Sequence, residues 1–321
     1  MQLAKAMILP ELDLNEWAPT QTTLQRWMQI VGKTRLKFAP MQNHWWQVVL
    51  YVTSRGMTTS PIPYEGRTFE VSFDFVNHEL VIVTSEGDTR TLPLRSMSVA
   101  DFYDKYMSTL LSLGIGAKLW PVPVEMVDTV RFPEDHAHNS YDADAAHRCW
   151  QILVFTDRAL KHFRGRFVGK CSPSHFWWGG FDLACTRFSG KPAPPHPGGI
   201  PNLADYVTRE SYSNECISAG WWPGNVGGPV AESAFYAYSY PEPPGCDVAH
   251  IEPEGAYYHT QMKEWILPYE VVRNAPEPEH ALLQFLQTTY DAAAQLANWD
   301  RAKLERPPGW AVPRSAPPPV A

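Results

Sequence analysis

The chain has 321 residues, 44% of them apolar and 13% aromatic, which is enough to bury a sizeable core in one or two domains. Its 27 Lys and Arg residues against 34 Asp and Glu residues give a formal charge of −7, which argues against a nucleic-acid partner. No apolar run approaches the roughly 20 residues of a membrane-spanning helix. The five cysteines form no CxxC pair, and no cleavable apolar segment follows Met1, so the sequence gives no sign of export. We therefore expect a cytoplasmic protein with no membrane partner.

The first part of the chain predicts an extension, a helix and a strand. Residues 1–19 are broken by prolines and form the predicted N-terminal extension. Thr20 or Thr22 is then expected to cap a helix with apolar positions at helical spacing, which fades near Lys37. The apolar and β-branched run 48–53 predicts a buried strand, followed by a proline-containing loop.

A three-stranded meander and a helix complete the first half. The alternation in Phe69–Phe75 predicts a half-buried strand, and turns at Asn77-His78 and Glu86–Asp88 connect it to two further antiparallel strands. Ser98 followed by Asp101 is close to a capping box, so a helix is expected to begin there.

The second half predicts the same order of elements with longer loops. Asp142 or Asp144 is expected to cap a helix whose apolar positions continue to Phe163. Further along the chain, apolar and aromatic runs predict strands at 217–222, 235–240 and 265–269, and helical spacing predicts a last helix from about 278 to 298.

Short matches in the same order suggest that the second half repeats the first. They pair Val31-Gly32-Lys33 with Val168-Gly169-Lys170, Pro40 with Pro173, His44-Trp45-Trp46 with His175-Phe176-Trp177, and Thr53–Gly56 with Thr186–Gly190. The predicted fold is therefore α+β, with two repeated helix–four-strand–helix units whose antiparallel sheets form an internal pseudo-dimer. A groove between such repeats is a natural place for a ligand.

The corresponding domain prediction has five parts. They are an N-terminal extension at 1–19, a first α+β repeat at 20–127, a linker at 128–141, a second repeat at 142–305, and a disordered proline-rich tail at 306–321.

The stretch Gly169–Gly190 holds the predicted catalytic residues. His175 is a candidate general acid or base, Asp182 would orient it, and Arg187 would bind a carboxylate or developing negative charge. His196, in a loop rich in proline and glycine, is a further candidate for proton transfer. In the structural alternative His175 is a polar anchor and Asp182 pairs with Arg187. Gly179-Gly180 interrupts the strand pattern and predicts a bulge or a close approach by another backbone or a ligand.

A second set of residues is predicted to bind the ligand. His44 and Arg55 are the contribution of the first repeat, and alternating tyrosines that include Tyr238 would form a pocket wall or a partner surface. The complete set of ligand-binding candidates is His44, Arg55, Trp177, Trp178, Trp221, Trp222, Tyr238 and Glu242. No cofactor is indicated by the sequence.

Two other functional classes compete with a ligand-binding enzyme. In the first, the aromatic surfaces form an interface with a protein partner or with a second copy of the chain. In the second, His136 and His138 bind a metal together with neighbouring carboxylates, although a polar linker whose Asp142 caps the next helix explains that segment better. No metal ligand is therefore assigned.

Several longer motifs are similar to a family of bacterial proteins that share a domain of unknown function. They are His44-Trp45-Trp46, Thr59–Tyr64, Gly169–Pro173, Thr186–Gly190, Pro194–Gly199 and Tyr240–Pro243, and the resemblance extends from about Leu9 to Leu304. It implies one coherent fold and names no activity. The shared positions it implies are His44, His138, His175, Asp182, Arg187, His196 and Glu242, whereas His136 and His147 are peculiar to this chain.

Overall fold

The computed structural model describes residues 9–307 and confirms a mixed fold of helices and antiparallel sheets. Within this range the α-helices are α1 (Leu14–Phe38), α2 (Val99–Ser112), α3 (Ala143–Gly165), α4 (Asp205–Ser211), α5 (Tyr269–Arg273), α6 (Pro278–Leu296) and α7 (Arg301–Leu304). Residues 1–8 and 308–321, which hold part of the predicted extension and most of the predicted tail, lie outside the described residues.

The first sheet is largely the predicted meander. Its strands are β1 (Tyr51–Val52), β2 (Gly56–Thr58), β3 (Ile62–Tyr64), β4 (Arg67–Asp74), β5 (Glu79–Thr84) and β6 (Thr89–Pro93), in the order β1-β2-β4-β5-β6 with β3 paired to β4. Phe69, Val71 and Phe73 of β4 are buried, as the alternation predicts. The strand predicted at 48–53 is shorter than expected, and the following loop contains β2 and β3.

The second sheet is also antiparallel and contains six strands in the described residues. They are β7 (His175–Trp177), β8 (Asp182–Pro192), β9 (Asn214–Trp222), β10 (Ala234–Tyr240), β11 (Tyr257–His259) and β12 (Glu264–Pro268), in the order β11-β12-β10-β9-β8-β7. Because side chains alternate along a strand, β8 divides its residues between two faces. Leu183, Cys185 and Arg187 face one side, and Asp182 and Thr186 face the other.

One pair of residues connects the two sheets. The amide of Leu50 donates to the carbonyl of Phe176 (3.0 Å), and the amide of Phe176 donates to the carbonyl of Leu50 (2.9 Å). This exchange places β1 next to β7, so that an edge of each sheet is paired with the other rather than left open.

Helix α1 is buried on nearly all sides and begins earlier than predicted. Asp13 is its N-cap and accepts from the amides of Asn15 (2.8 Å) and Glu16 (3.1 Å), so the prediction of Thr20 or Thr22 as the cap is wrong. Every residue from 23 to 35 is buried, which weakens the amphipathic pattern that would have marked the helix. The predicted caps of the next two long helices, Ser98 and Asp142, are confirmed.

The predicted pseudo-dimer is not confirmed. In both halves the strands of one sheet lie between two long helices along the chain, but each sheet has six strands rather than four within the described residues. The proposed matches also differ in conformation: His44 and Trp45 lie in a 3₁₀ turn with φ of 58° and 62°, whereas His175–Trp177 is a strand. The predicted boundary between residues 19 and 20 falls inside α1. No helix among residues 9–307 is long and apolar enough to cross a membrane.

Candidate functional site

A cavity of about 500 Å³ lies on the Asp182 face of the second sheet. Alternate residues of β8, β9 and β10 form its floor, among them Thr186, Ser218 and Tyr238. The other walls come from the C-terminal half of α1, from residues around Trp46, and from the segment that includes α4. Aromatic rings supply much of the wall, so an apolar ligand body would be well accommodated.

A polar stripe on α1 ends in this cavity. Gln21, Gln25, Gln29 and Lys33 are spaced four residues apart, which places them on one side of the helix. The three glutamine amides all bond to backbone groups: Gln21 donates to Gly224, Gln25 to Gly179, and Gln29 both donates to and accepts from Val124. Lys33, at the end of the stripe, lines the cavity instead.

Lys33 is a buried residue whose ammonium group has no polar partner in the described part of the chain. Its residue is 5% exposed, and it forms no hydrogen bond or ion pair within the described residues. Its nearest aromatic contact is the ring of Trp178, whose centroid is 5.8 Å from Nζ. Burial lowers the pKa of Lys33 to about 8, and no carboxylate offsets this shift. The cavity therefore contains a cation that is left unpaired by residues 9–307.

Two carboxyl groups lie elsewhere on the cavity wall. Glu125 is an exposed residue whose carboxyl lies in the cavity, where removal from bulk water and the charge of Asp182 raise its pKa to about 7. Burial raises the pKa of Asp182 to about 6, although its carboxylate accepts a hydrogen bond from Tyr236. Both pKa values thus lie closer to neutral pH than is usual for carboxyl groups.

Gly179 makes room for Glu125. A Cβ atom on Gly179 would lie 2.0 Å from Oε1 of Glu125, so only glycine permits this approach. The group that approaches Gly179 is thus a side chain and not the predicted backbone or ligand, and a turn stands where the bulge was predicted. Residues 178–181 form the turn between β7 and β8. On either side of this turn, Trp177 of β7 pairs with Asp182 of β8.

A second, smaller cavity adjoins the first at Asp182. It has a volume of about 240 Å³ and shares Asp182, Tyr236 and Tyr238 with the larger one. Its own walls include Trp222 and Glu264. Burial, with the charge of Asp182 as a smaller contribution, raises the pKa of Glu264 to about 8, and its carboxyl forms no hydrogen bond or ion pair within residues 9–307.

His44 lines the larger cavity as a neutral anchor. Its Nδ1 donates to the carbonyls of Ser211 (3.0 Å) and Glu210 (3.2 Å), and Nζ of Lys170 donates to its Nε2 at 2.6 Å. Burial and the charge of Lys170 lower the pKa of His44. These bonds hold the turn around His44 against α4 and occupy both ring nitrogens.

His175 lies outside the cavity lining, behind two rings that belong to it. Its imidazole makes edge contacts with Trp46 and Trp177, at centroid distances of 5.4 Å and 5.8 Å, and with Tyr51. Burial, together with the charges of Arg35 and Arg164, lowers its pKa to about 3, and its Nδ1 has no hydrogen-bond partner among the described residues. A neutral, enclosed imidazole of this kind supports the shape of the wall.

Arg187 occupies the opposite face of the sheet. Its guanidinium donates to the carbonyl of Phe163 and packs over the rings of Phe163 and Tyr290, at 3.4 Å and 4.2 Å from the centroids. It forms no ion pair with Asp182, because five residues along a regular strand place the two side chains on opposite faces. The Asp182–Arg187 pair of the structural alternative is therefore absent.

The remaining candidates divide between the cavities, the core and other parts of the surface. Trp177, Trp178 and Tyr238 line the larger cavity, and Trp222 lines the smaller. The others are in different surroundings: His196 stacks on the outer side of Tyr212 with centroids 4.7 Å apart, Trp221 is in the core, Arg55 pairs with Asp74 at 2.7 Å, and Glu242 pairs with Lys263 at 2.9 Å.

The segment considered as a metal site is used for internal ion pairs. Nδ1 of His138 lies 2.8 Å from the carboxylate of Asp135, which is also 3.2 Å from Nε of Arg26. His136 points away from this cluster as an exposed residue. No group of three or more His, Cys, Asp or Glu residues in the described range is arranged to hold a metal ion.

The structure thus brings together part of the predicted set and adds residues that the sequence interpretation missed. Asp182, His44, Trp177, Trp178 and Tyr238 line one cavity, whereas His175, Arg187 and His196 do not. The missed residues that carry charge are Lys33, Glu125 and Glu264. The four-residue spacing of polar groups in α1 would have identified Lys33.

Comparison with known proteins agrees with the predicted resemblance. A family model matches residues 9–306, nearly the whole chain. The chain belongs to DUF5996, a family of unknown function. The match includes both sheets and every residue of the candidate site. No curated protein and no solved structure matches the chain. All these elements therefore belong to one domain of the DUF5996 family, and the family description gives no chemistry for the site.

Proposed function

We propose that the protein binds a small organic acid in the larger cavity, with the carboxylate of the ligand paired to Lys33. The observation that carries this proposal is the unpaired ammonium group in an aromatic-walled cavity of about 500 Å³. An isolated buried charge is costly and is retained where it serves a site. A ligand carboxylate would supply the partner that Lys33 lacks among the described residues.

The composition of the walls supports a ligand with an apolar or aromatic body. Trp46, Trp177 and Trp178 line the cavity together with tyrosine rings. Hydroxyl groups on the floor are already paired with each other, Thr186 with Ser218 at 2.9 Å and Tyr212 with Tyr238 at 2.8 Å. Most of the contact with a ligand would therefore be apolar, with polar recognition concentrated at Lys33 and at the carboxyl groups.

The acid–base part of the proposal rests on Glu125 and Asp182. Both carboxyls line the cavity and have pKa values raised to about 7 and about 6. Such groups can take a proton from a bound ligand or return it near neutral pH. This role replaces the earlier hypothesis of an assembly of His175, Arg187 and His196 and retains only Asp182.

Calorimetric titration with a substituted benzoate tests the proposal. We expect 4-methylbenzoate, or a larger aryl carboxylate found in a thermal-shift screen, to bind the wild-type protein and to lose at least about tenfold in affinity in Lys33→Met. Lys37→Met is the matched control, because Lys37 is an exposed residue near the end of the same helix. Equal affinities for wild type and Lys33→Met would contradict the proposal.

A further inference from the structure

We propose that the ligand is bipolar, an organic acid that also carries a basic nitrogen, and that it spans both cavities. Its carboxylate would pair with Lys33 in the larger cavity, and its ammonium group would lie near Asp182 and Glu264 at the smaller one. This inference rests on the proposed function and identifies the chemical class of the ligand.

The arrangement of charge is the first reason. The carboxyls of Glu125, Asp182 and Glu264 border the two adjoining cavities, and no Lys or Arg in the described residues forms an ion pair with any of them. Their only side-chain hydrogen bond within those residues is the one that Tyr236 donates to Asp182. These three carboxyl groups therefore have no cationic partner among the described residues, although Lys33 lines the larger cavity with two of them.

The second reason is that the two charged regions do not neutralise each other. Lys33 has no ion pair in the described part of the chain, and no carboxylate offsets the effect of burial on its ammonium group. The two adjoining cavities are thus lined by a buried cation and by carboxyl groups with which it forms no ion pair in the described residues. A ligand with a single charge would satisfy only one of them, whereas a bipolar ligand would satisfy both.

The walls of the smaller cavity supply the third reason. Trp222 and Tyr236 present aromatic rings there, and Met262 adds a polarizable thioether. Aromatic rings attract ammonium groups through their quadrupoles, and a neighbouring ammonium group would favour the ionised form of the Glu264 carboxyl, which then adds a charged acceptor. Hydrophobic packing alone would not require a carboxyl group at this position, so an organic cation fits the lining better than an apolar group.

A matched series of probes tests the inference by calorimetry near pH 7.5. The bipolar probes are 4-(aminomethyl)benzoate and the longer 4′-(aminomethyl)biphenyl-4-carboxylate. Their acid-only analogues carry a methyl group in place of the aminomethyl group, and 4-methylbenzylamine is the amine-only analogue. We expect at least one bipolar probe to bind the wild-type protein at least about tenfold more tightly than its acid-only analogue.

Variants then locate the two ends of the ligand. In Glu264→Gln we expect the advantage of the bipolar probe to fall at least about fivefold, with the acid-only affinity unchanged. Glu254→Gln is the control, because Glu254 is exposed and has no ion pair in the described residues, and it should leave both affinities unchanged. Thermal unfolding of each variant checks that it is folded.

The outcomes separate the inference from the proposed function. Acid-only probes that bind in a Lys33-dependent manner, and as tightly as the bipolar probes at both lengths, would overturn the bipolar inference and leave the proposed function intact. A bipolar advantage that persists fully in Glu264→Gln would also overturn it. If no probe loses affinity in Lys33→Met, or if none binds, both proposals fail.

Discussion

Two buried cations on helix α1 differ in whether a carboxylate pairs with them. Arg26 is 2% exposed and has two carboxylate partners, Asp128 at 2.9 Å and Asp135 at 3.2 Å. Lys33, two turns further along, is 5% exposed and has none among the described residues. The charge of Arg26 is compensated within the protein, whereas under the proposed function the charge of Lys33 would be compensated by a ligand.

The difference extends to the surroundings of each cation. Arg26 connects α1 to the segment 128–135, and its guanidinium also donates to the carbonyl of Thr22 at 2.9 Å. Lys33 is directed into open space that is large enough for a small molecule. The same helix therefore contributes one cation to stability and another to the candidate site, and substitutions should separate the two roles.

The largest effect is expected at the paired cation. Arg26→Met should lower the free energy of unfolding by about 4 kcal/mol, because breaking a buried ion pair leaves Asp135, which is 1% exposed, with His138 as its remaining side-chain partner in the described residues. Urea unfolding measures the change. Arg55→Met is the control, because the side chain of Arg55 is 50% exposed and its pair with Asp74 should contribute less than about 1 kcal/mol. Similar losses in the two variants would remove the contrast with Lys33.

Lys33→Met should raise the free energy of unfolding near neutral pH, whereas Arg26→Met should lower it. Folding lowers the pKa of Lys33 from 10.5 to about 8. Below pH 8 the folded protein therefore bears a penalty of up to about 3 kcal/mol, which the substitution removes. The unfolded state binds more protons between pH 8 and 10.5, so wild-type stability gains on Lys33→Met as the pH rises through this range. A destabilised Lys33→Met variant at pH 7 would contradict the assignment of Lys33 as an unpaired cation.

Asp182→Asn should produce a smaller gain with the opposite pH dependence. Folding raises the pKa of Asp182 from 3.8 to about 6, so the wild-type protein loses stability as the pH rises between these values. The variant should be about 2 kcal/mol more stable than wild type at pH 8, after allowance for partial exposure, and equal to it below pH 4. Thermal unfolding over this pH range measures the difference. A gain that does not change with pH would rule out titration of Asp182 as its source.

Gly179→Ala should change the site with little effect on stability. The added Cβ would displace the carboxyl of Glu125, which is the mobile end of a side chain, so the free energy of unfolding should change by less than about 1 kcal/mol. The pKa of Glu125 should fall from about 7 towards its usual value as the carboxyl leaves the cavity and Asp182. Carbon-detected NMR titration of labelled glutamate measures this shift. Gly165→Ala, where a Cβ would meet no atom within 4 Å, should leave it unchanged.

The sequence predicts the elements of this fold better than their assembly. The alternation in β4, the strands β9, β10 and β12, and the caps Ser98 and Asp142 are all local signals, and the structure confirms them. The beginning of α1 was misplaced because Pro19 interrupts a pattern that buried polar residues already weaken. The similarity of His44-Trp45-Trp46 to His175-Phe176-Trp177 is one of residue types, and the two segments adopt different backbone conformations.

The candidate site could be predicted only in part for a related reason. Asp182 was identified because it lies in a distinctive stretch with Trp177 and Trp178, and all three line the cavity. Arg187 is in the same stretch but faces the helices, because the turn at 178–181 fixes the register in which the strand alternates. Lys33 and Glu125 are distant from this stretch in sequence, and only tertiary packing brings them to it.

The pKa of the Lys33 ammonium group tests most directly whether Lys33 binds a ligand carboxylate. It can be measured by NMR titration of protein with labelled lysine, and the Lys33 signal is the one missing in Lys33→Met. We predict a pKa of about 8 in the free protein, and a rise of at least about one unit when an aryl carboxylate such as 4-methylbenzoate is bound. A pKa near 10.5 in the free protein, unchanged by such a ligand, would show that Lys33 is not a buried cation that pairs with a bound carboxylate.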